Sequence, residues 1–207
     1  MTDKPDLDAL FADLAHPNPY LQTEAFLGLV RHWPQESMPR LLDLLDQENV
    51  SLRRASVRAL GAFGETSLIP LAQKFQQSDD ATVRASCVKA YAQVASNFPG
   101  LPFPEPAMEV LQASLQDDSP VVAIAAVMAL GQVGAQAVPL LLQVCRGDNP
   151  AQAVAAVNAL VEIDDPSIED CLLALASGEA TDRYVRETVE SALSRIRDLR
   201  GRQPSLS

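Results

Sequence analysis

Three cysteines, Cys87, Cys145 and Cys171, are the first residues whose chemistry has to be weighed. A thiolate ligates metal clusters and attacks electrophiles, but it must be reachable and ionised to do so. No two of them stand close enough for a CxxC pair, so the sequence offers no zinc knuckle and no disulfide framework, and the usage fits a reducing compartment. The two histidines, His16 and His32, have no second ligand at helical spacing. His16 precedes a Pro-Asn-Pro turn, which predicts a capping or surface role. Asp pairs at 79/80, 117/118 and 164/165 would be acid/base dyads if they faced a substrate. They recur at one point of a repeat instead, which predicts helix caps. The segments GlyGlnValGly and GlyAlaPheGly read as turns between helices rather than phosphate loops. No catalytic residue, no metal site and no cofactor of the chain's own is expected.

The elements that position these residues are helical throughout. Aromatics are 5%, and no stretch alternates for long with period two, so strand signals are nearly absent. A ruler of Ala-Leu pairs, 59/60, 129/130 and 159/160, with Ala90/Tyr91, Ala192/Leu193 and the fainter Gly28/Leu29, marks one repeat in steps of 31, 31, 39, 30 and 33 residues. Eight residues earlier stand Leu21, Leu52, Val83, Val122 and Val185, and only Gln152 breaks that column. Asp117 to Gly147 is the most regular unit, an apolar helix, a turn at Gly131 to Gly134 and a second apolar helix. Two such helices cannot cover their own apolar faces, so they must stack on neighbours.

The expectation is an all-α, α-α superhelix of about six helical pairs: 5–15 with 19–32, 35–46 with 49–62, 66–76 with 80–96, 105–116 with 120–133, 135–146 with 149–163, and 166–176 with 180–199. The repeats make one domain over 1–200, with a proline-rich insertion at 97–106 and a flexible tail at 201–207. In this register Cys87 aligns with Ser56, Ala126 and Ala156, Cys145 with Phe75 and Leu175, and Cys171 with Leu71 and Leu141. All three thiols are therefore expected in core columns. No apolar run of membrane-spanning length is expected, and neither is a secretory signal, so a cytoplasmic protein is anticipated. A formal charge of -11 argues against nucleic acid, whose phosphates need a basic footprint.

The segments VMALGQVGAQAVPLLL, RRASVRALGAFG and AVAAVNALVEIDDP resemble the HEAT repeats of the phycobilin-lyase-like group. Chain length, the opening LDALFADLAHPNP and the insert NFPGLPFPEP resemble more closely the cyanobacterial HEAT-repeat partners of IscA-type iron–sulfur carriers. That resemblance implies a non-catalytic adaptor that stabilises an iron–sulfur carrier, whose cluster ligands would come mainly from the partner. The alternative, implied by the broader group, is a bilin lyase subunit or bilin chaperone acting on phycobiliproteins with a second HEAT subunit. A HEAT-type DNA glycosylase fits poorly with the acidic balance and the scarcity of aromatics.

Two departures from the repeat carry the candidate site. Six and two residues before the ruler position, on the exposed side of each second helix, the chain has Arg54 and Arg58, Lys89, then Ile124 and Met128, then Val154 and Asn158. With Arg53 and Arg84 these define a candidate partner-binding groove, basic near the second and third pairs and apolar near the fourth and fifth. Its basic rim would suit an acidic partner or carboxylates such as bilin propionates. The other reading buries Ile124, Met128 and Val154 between neighbouring pairs. Prolines 99, 102, 104 and 106 keep the insertion extended. Its Phe98, Leu101 and Phe103 either pack back onto helix ends, the favoured reading, or form a docking loop. Trp33 stands where other repeats carry glycine and is expected to seal the first repeat.

Overall fold

Asn18, Asn49, Asp80 and Asn149 open four of the helices, each side chain accepting a hydrogen bond from a backbone N–H of the first turn that would otherwise lack a partner. Such starts, alternating with short turns, give twelve α-helices and no strand among the described residues of the computed structural model, which are 4–178 and 181–202. They are α1 (Leu7–Asp13), α2 (Pro19–His32), α3 (Pro34–Asp43), α4 (Val50–Ala62), α5 (Glu65–Gln76), α6 (Ala81–Asn97), α7 (Glu105–Ser114), α8 (Pro120–Val133), α9 (Val138–Cys145), α10 (Pro150–Val161), α11 (Ser167–Ser177) and α12 (Arg183–Arg202). Short 3₁₀ turns follow α3 at Leu44–Asp46 and precede α9 at Gly134–Ala137. Helix α12 includes 201 and 202 of the expected tail, and 203–207 lie outside the described residues.

The contacts divide the chain into 1–129 and 130–207. Within the first unit the second helix of each pair packs on the next second helix, α2 on α4 and α4 on α6. The first helices do likewise, α3 on α5 and α5 on α7. Within the second unit the same rule joins α9 to α11 and α10 to α12. The ruler column is the core: Leu29, Leu60, Tyr91, Leu130 and Leu160 are fully buried and Leu193 nearly so. Each buried leucine is worth about 1.5–3 kcal/mol of transfer free energy. Four residues earlier stand Ala25, Ser56, Cys87, Ala126, Ala156 and Val189, all buried and all compact enough to let helices approach closely.

Residues 120–145 form a longer uncharged stretch than the sequence reading allowed, and by length and composition this stretch would cross a membrane. It folds as two helices instead. Gly134, at φ 79°, takes the left-handed turn between them, and just over half of the most apolar 18 residues of the stretch is buried inside the protein.

The cysteine expectation holds for two thiols. Cys87 and Cys145 are buried, whereas Cys171 is only half-buried, because α11 turns that column partly outward.

Candidate binding groove

An arginine column that register alone did not interpret fixes the connectors ahead of the second helices. Seven residues before the ruler position, Arg53 donates to the Gln47 carbonyl at 2.6 Å, Arg84 to the Ser78 carbonyl at 3.2 Å and Arg186 to the Gly178 carbonyl at 2.9 Å. Arg84 also forms a two-pronged pair with Asp117, Nε to Oδ2 at 2.7 Å and Nη2 to Oδ1 at 3.0 Å. This pair holds the Asp117 carboxyl below the usual carboxylate range and raises the guanidinium pKa. Arg53 and Arg84 thus serve the scaffold. The signal was present in the sequence as three arginines in one column, with Ala123 and Ala153 in the fourth and fifth repeats.

Three further cations line an open groove of about 780 Å³ within the first unit, alongside the N-terminal halves of α4 and α6. Arg54, Arg58 and Lys89 line it together with Arg53 and the His16 ring, and among the described residues no aspartate or glutamate does. In an acidic chain that is a local inversion of charge, and it raises the affinity of the groove for anions. His16 contributes a turn contact, its Nδ1 accepting from the Asn18 N–H at 3.0 Å. A second pocket of about 410 Å³ lies against Phe26, Leu27, Ala62 and Phe98, and Arg58 lines both spaces. The guanidinium of Arg58 sits 5.6 Å from the Phe26 ring centroid and donates to Gln22 Oε1 at 2.6 Å. Both volumes fall in the range of about 300–1,000 Å³ usual for small-ligand sites. Gln22, Phe26 and Leu27 were not singled out from sequence. Leu27 shares the column of Arg58 and Lys89, which was the available signal.

The other candidate residues sort by exposure. In the first unit Ile124 is half-buried and Met128 is 64% exposed. In the second unit Val154 is half-buried, while Asn158 is exposed, donates to the Val154 carbonyl at 3.1 Å and accepts from Arg195 at 2.8 Å. The insertion divides. Phe103 is buried and meets Tyr91 edge to face with centroids 5.7 Å apart, Leu101 is half-buried, and Phe98 is 41% exposed on the rim of the smaller pocket. Tyr91 in turn donates to the Leu68 carbonyl at 3.0 Å. Trp33 donates to the Pro5 carbonyl at 2.9 Å and carries Lys4 over its ring, so it closes on the N-terminal residues.

The Asp pairs are caps. Asp80 accepts from the Thr82 N–H at 2.6 Å, Asp117 from Ser119 at 2.9 Å and Asp165 from Ser167 at 2.8 Å. The Thr82 backbone bond holds Asp80, and the Ser167 side-chain and backbone bonds hold Asp165, below the ordinary carboxylate range. Burial pushes the thiols of Cys87 and Cys145 up to about 12. Among the described residues no group of three His, Cys, Asp or Glu side chains comes together in a way that would hold a metal ion.

The fold defines a helical-repeat protein of the HEAT solenoid class. The HEAT repeats family matches residues 7–92 and the PBS lyase HEAT-like repeat family matches residues 122–147. The uncharacterized phycocyanin operon protein Z of Pseudanabaena tenuis is 42% identical over 196 residues, covering 94% of this chain and 97% of its own. The bilin biosynthesis protein CpeZ of a Synechococcus strain is 36% identical over 184 residues, covering 86% and 99%. The chain belongs to the family of these two proteins. Among solved structures, the E. coli protein YibA superposes with a TM-score of 0.54 at 20% identity, covering 95% of this chain and 74% of its own. A designed armadillo repeat protein crystallised with the peptide (KR)4 gives 0.52 at 18%, covering 93% and 100%. These two likenesses speak for the fold.

The relatives overturn the iron–sulfur carrier as partner. Matches running nearly the full length of the chain carry bilin and phycocyanin names, not iron–sulfur ones. The opening segment and the insertion misled because they are scaffold features: Phe103 of the insertion fills a core position against Tyr91, and such packing says nothing about what is bound.

Proposed function

We propose that this protein handles a linear tetrapyrrole on its way to a phycobiliprotein, as a bilin lyase subunit or bilin chaperone. The observation that carries the reading is the similarity, over 86% of this chain, to a bilin biosynthesis protein. The carboxylate-free groove at Arg54, Arg58 and Lys89 supports it, because a bilin presents two ionised propionates on an otherwise apolar conjugated body. The buried thiols of Cys87 and Cys145 are poor covalent carriers, and the half-buried Cys171 lines neither the groove nor the smaller pocket, which supports a chromophore held here without a bond and an acceptor cysteine on the phycobiliprotein. The partners are the phycobiliprotein subunit and a second HEAT-repeat subunit.

Co-expression tests this. A phycobiliprotein subunit is produced with the enzymes that make its bilin, with this chain and a candidate second HEAT subunit, and with each omitted in turn. The expected result is chromophore fluorescence that survives denaturing electrophoresis and depends on this chain. Equal chromophore attachment with and without the chain, across the phycobiliprotein subunits tried, would contradict the reading.

A further inference from the structure

Gln22 occupies the position in its repeat that Arg53, Arg84 and Arg186 hold in theirs, seven residues before the ruler leucine. It performs the same task, since its Nε2 donates to the His16 carbonyl six residues back, at 2.6 Å, as Arg53 and Arg84 do to Gln47 and Ser78. An arginine there offers donors only and has no acceptor. The amide of Gln22 differs. With its nitrogen committed to a carbonyl, its oxygen must face the other way, and Arg58 Nη2 donates to that oxygen at 2.6 Å. The Phe26 ring lies on the other contact of the guanidinium. Arg58 is thereby fixed where the basic groove and the apolar pocket share a wall.

We infer that Arg58 is the specificity-determining cation of the groove, reading a carboxylate on a flat apolar ligand, and that Gln22 is the residue that positions it. The inference rests on the chromophore reading above and names which end of the ligand goes where. A propionate meets Arg58, with Arg54 and Lys89 adding positive potential along the groove. The apolar body lies against Phe26, Leu27 and Phe98. The amide at position 22 in place of the column's arginine is what distinguishes this arrangement from a plain basic patch.

The test compares phycocyanobilin with its dimethyl ester, in which both propionates are uncharged, by titration followed in the visible spectrum at low ionic strength. The free acid is expected to bind wild type about tenfold more tightly than the ester, the worth of one charge-assisted hydrogen bond. Arg58→Met should bring that ratio close to one, and Gln22→Met should lower it several-fold. In the double variant the ratio should be no lower than in Arg58→Met alone, because Gln22 acts through Arg58. Far-UV circular dichroism checks that the variants are folded, and the acid-to-ester ratio is a quantity that a general loss of structure does not select. Equal affinities in wild type, or a ratio untouched by Arg58→Met, would overturn the inference and leave the chromophore reading standing. Additive losses in the double variant overturn the role of Gln22. Failure of both bilin forms to bind overturns the inference and the bilin-handling reading together.

Discussion

Cys87 sits in the column of Ser56, Ala126 and Ala156, and its thiol is buried for the same reason that those small side chains are. The register made this legible, since a residue type that recurs as Ala or Ser is filling space between helices. Cys171 was not legible in the same way, because alignment with Leu71 and Leu141 fixes the column but not how far its own helix turns outward. Native labelling with a maleimide should modify Cys171 first. Cys87 and Cys145 should react at rates limited by unfolding, read by mass spectrometry of peptides over time. Asp117 shows the opposite case, a residue readable as a cap whose stronger partner, Arg84, is 33 positions away and invisible to local pattern. Removing the pair with Asp117→Asn should cost about 1–3 kcal/mol at neutral pH. Because the carboxyl is held below its ordinary range in the folded state, its stabilisation is complete above that range and is lost as the pH falls through the depressed value. Wild type should therefore lose more stability than Asp117→Asn between about pH 5 and about pH 2 in urea titrations.

Helix positions were legible almost throughout, because caps, turns and a 3.6-residue apolar period agree. The overrides are local. Pro39 and Pro70 lie inside α3 and α5, where a helix interior loses about 3 kcal/mol to proline, and the burial of Leu41, Leu68 and Leu71 offsets it. The insertion at 97–106 was legible as extended but not as divided, since prolines fix backbone and leave open which side chain turns inward. Its two phenylalanines give a paired prediction. Phe103→Ala should destabilise the protein by about 3–5 kcal/mol through the cavity left beside Tyr91. Phe98→Ala should cost less than about 1 kcal/mol and instead weaken ligand binding, as expected of a rim residue. Thermal melts together with bilin titration separate the two. Gly64, at φ 59°, turns α4 into α5 under the Phe98 ring, which a Cβ there would meet at 3.0 Å. This turn is part of what holds Phe98 on the rim.

For the chain as a whole, composition and repeat spacing reached the fold class, while the choice of partner lay beyond them. A repeat array is stabilised by its columns, and columns are what a single sequence displays; binding resides in the few positions that depart from them. Six of the groove candidates named from sequence were cations or apolar groups outside the scaffold's arginine column, and the groove gathers Arg54, Arg58 and Lys89 from these. Charge at this site is the whole-molecule claim, because an acidic chain that keeps a basic groove with no carboxylate among its described lining residues should bind an anion through it in a salt-dependent way. The triple reversal Arg54→Glu, Arg58→Glu and Lys89→Glu should abolish that salt dependence with the fold intact. The most direct measurement is the visible absorption spectrum of phycocyanobilin on titration with the wild-type protein and with this triple variant, at low and high salt. A saturable spectral change with wild type that weakens with salt and is lost in the variant is the predicted result. A spectrum that wild type leaves unchanged, or changes identically in the variant, would contradict the account.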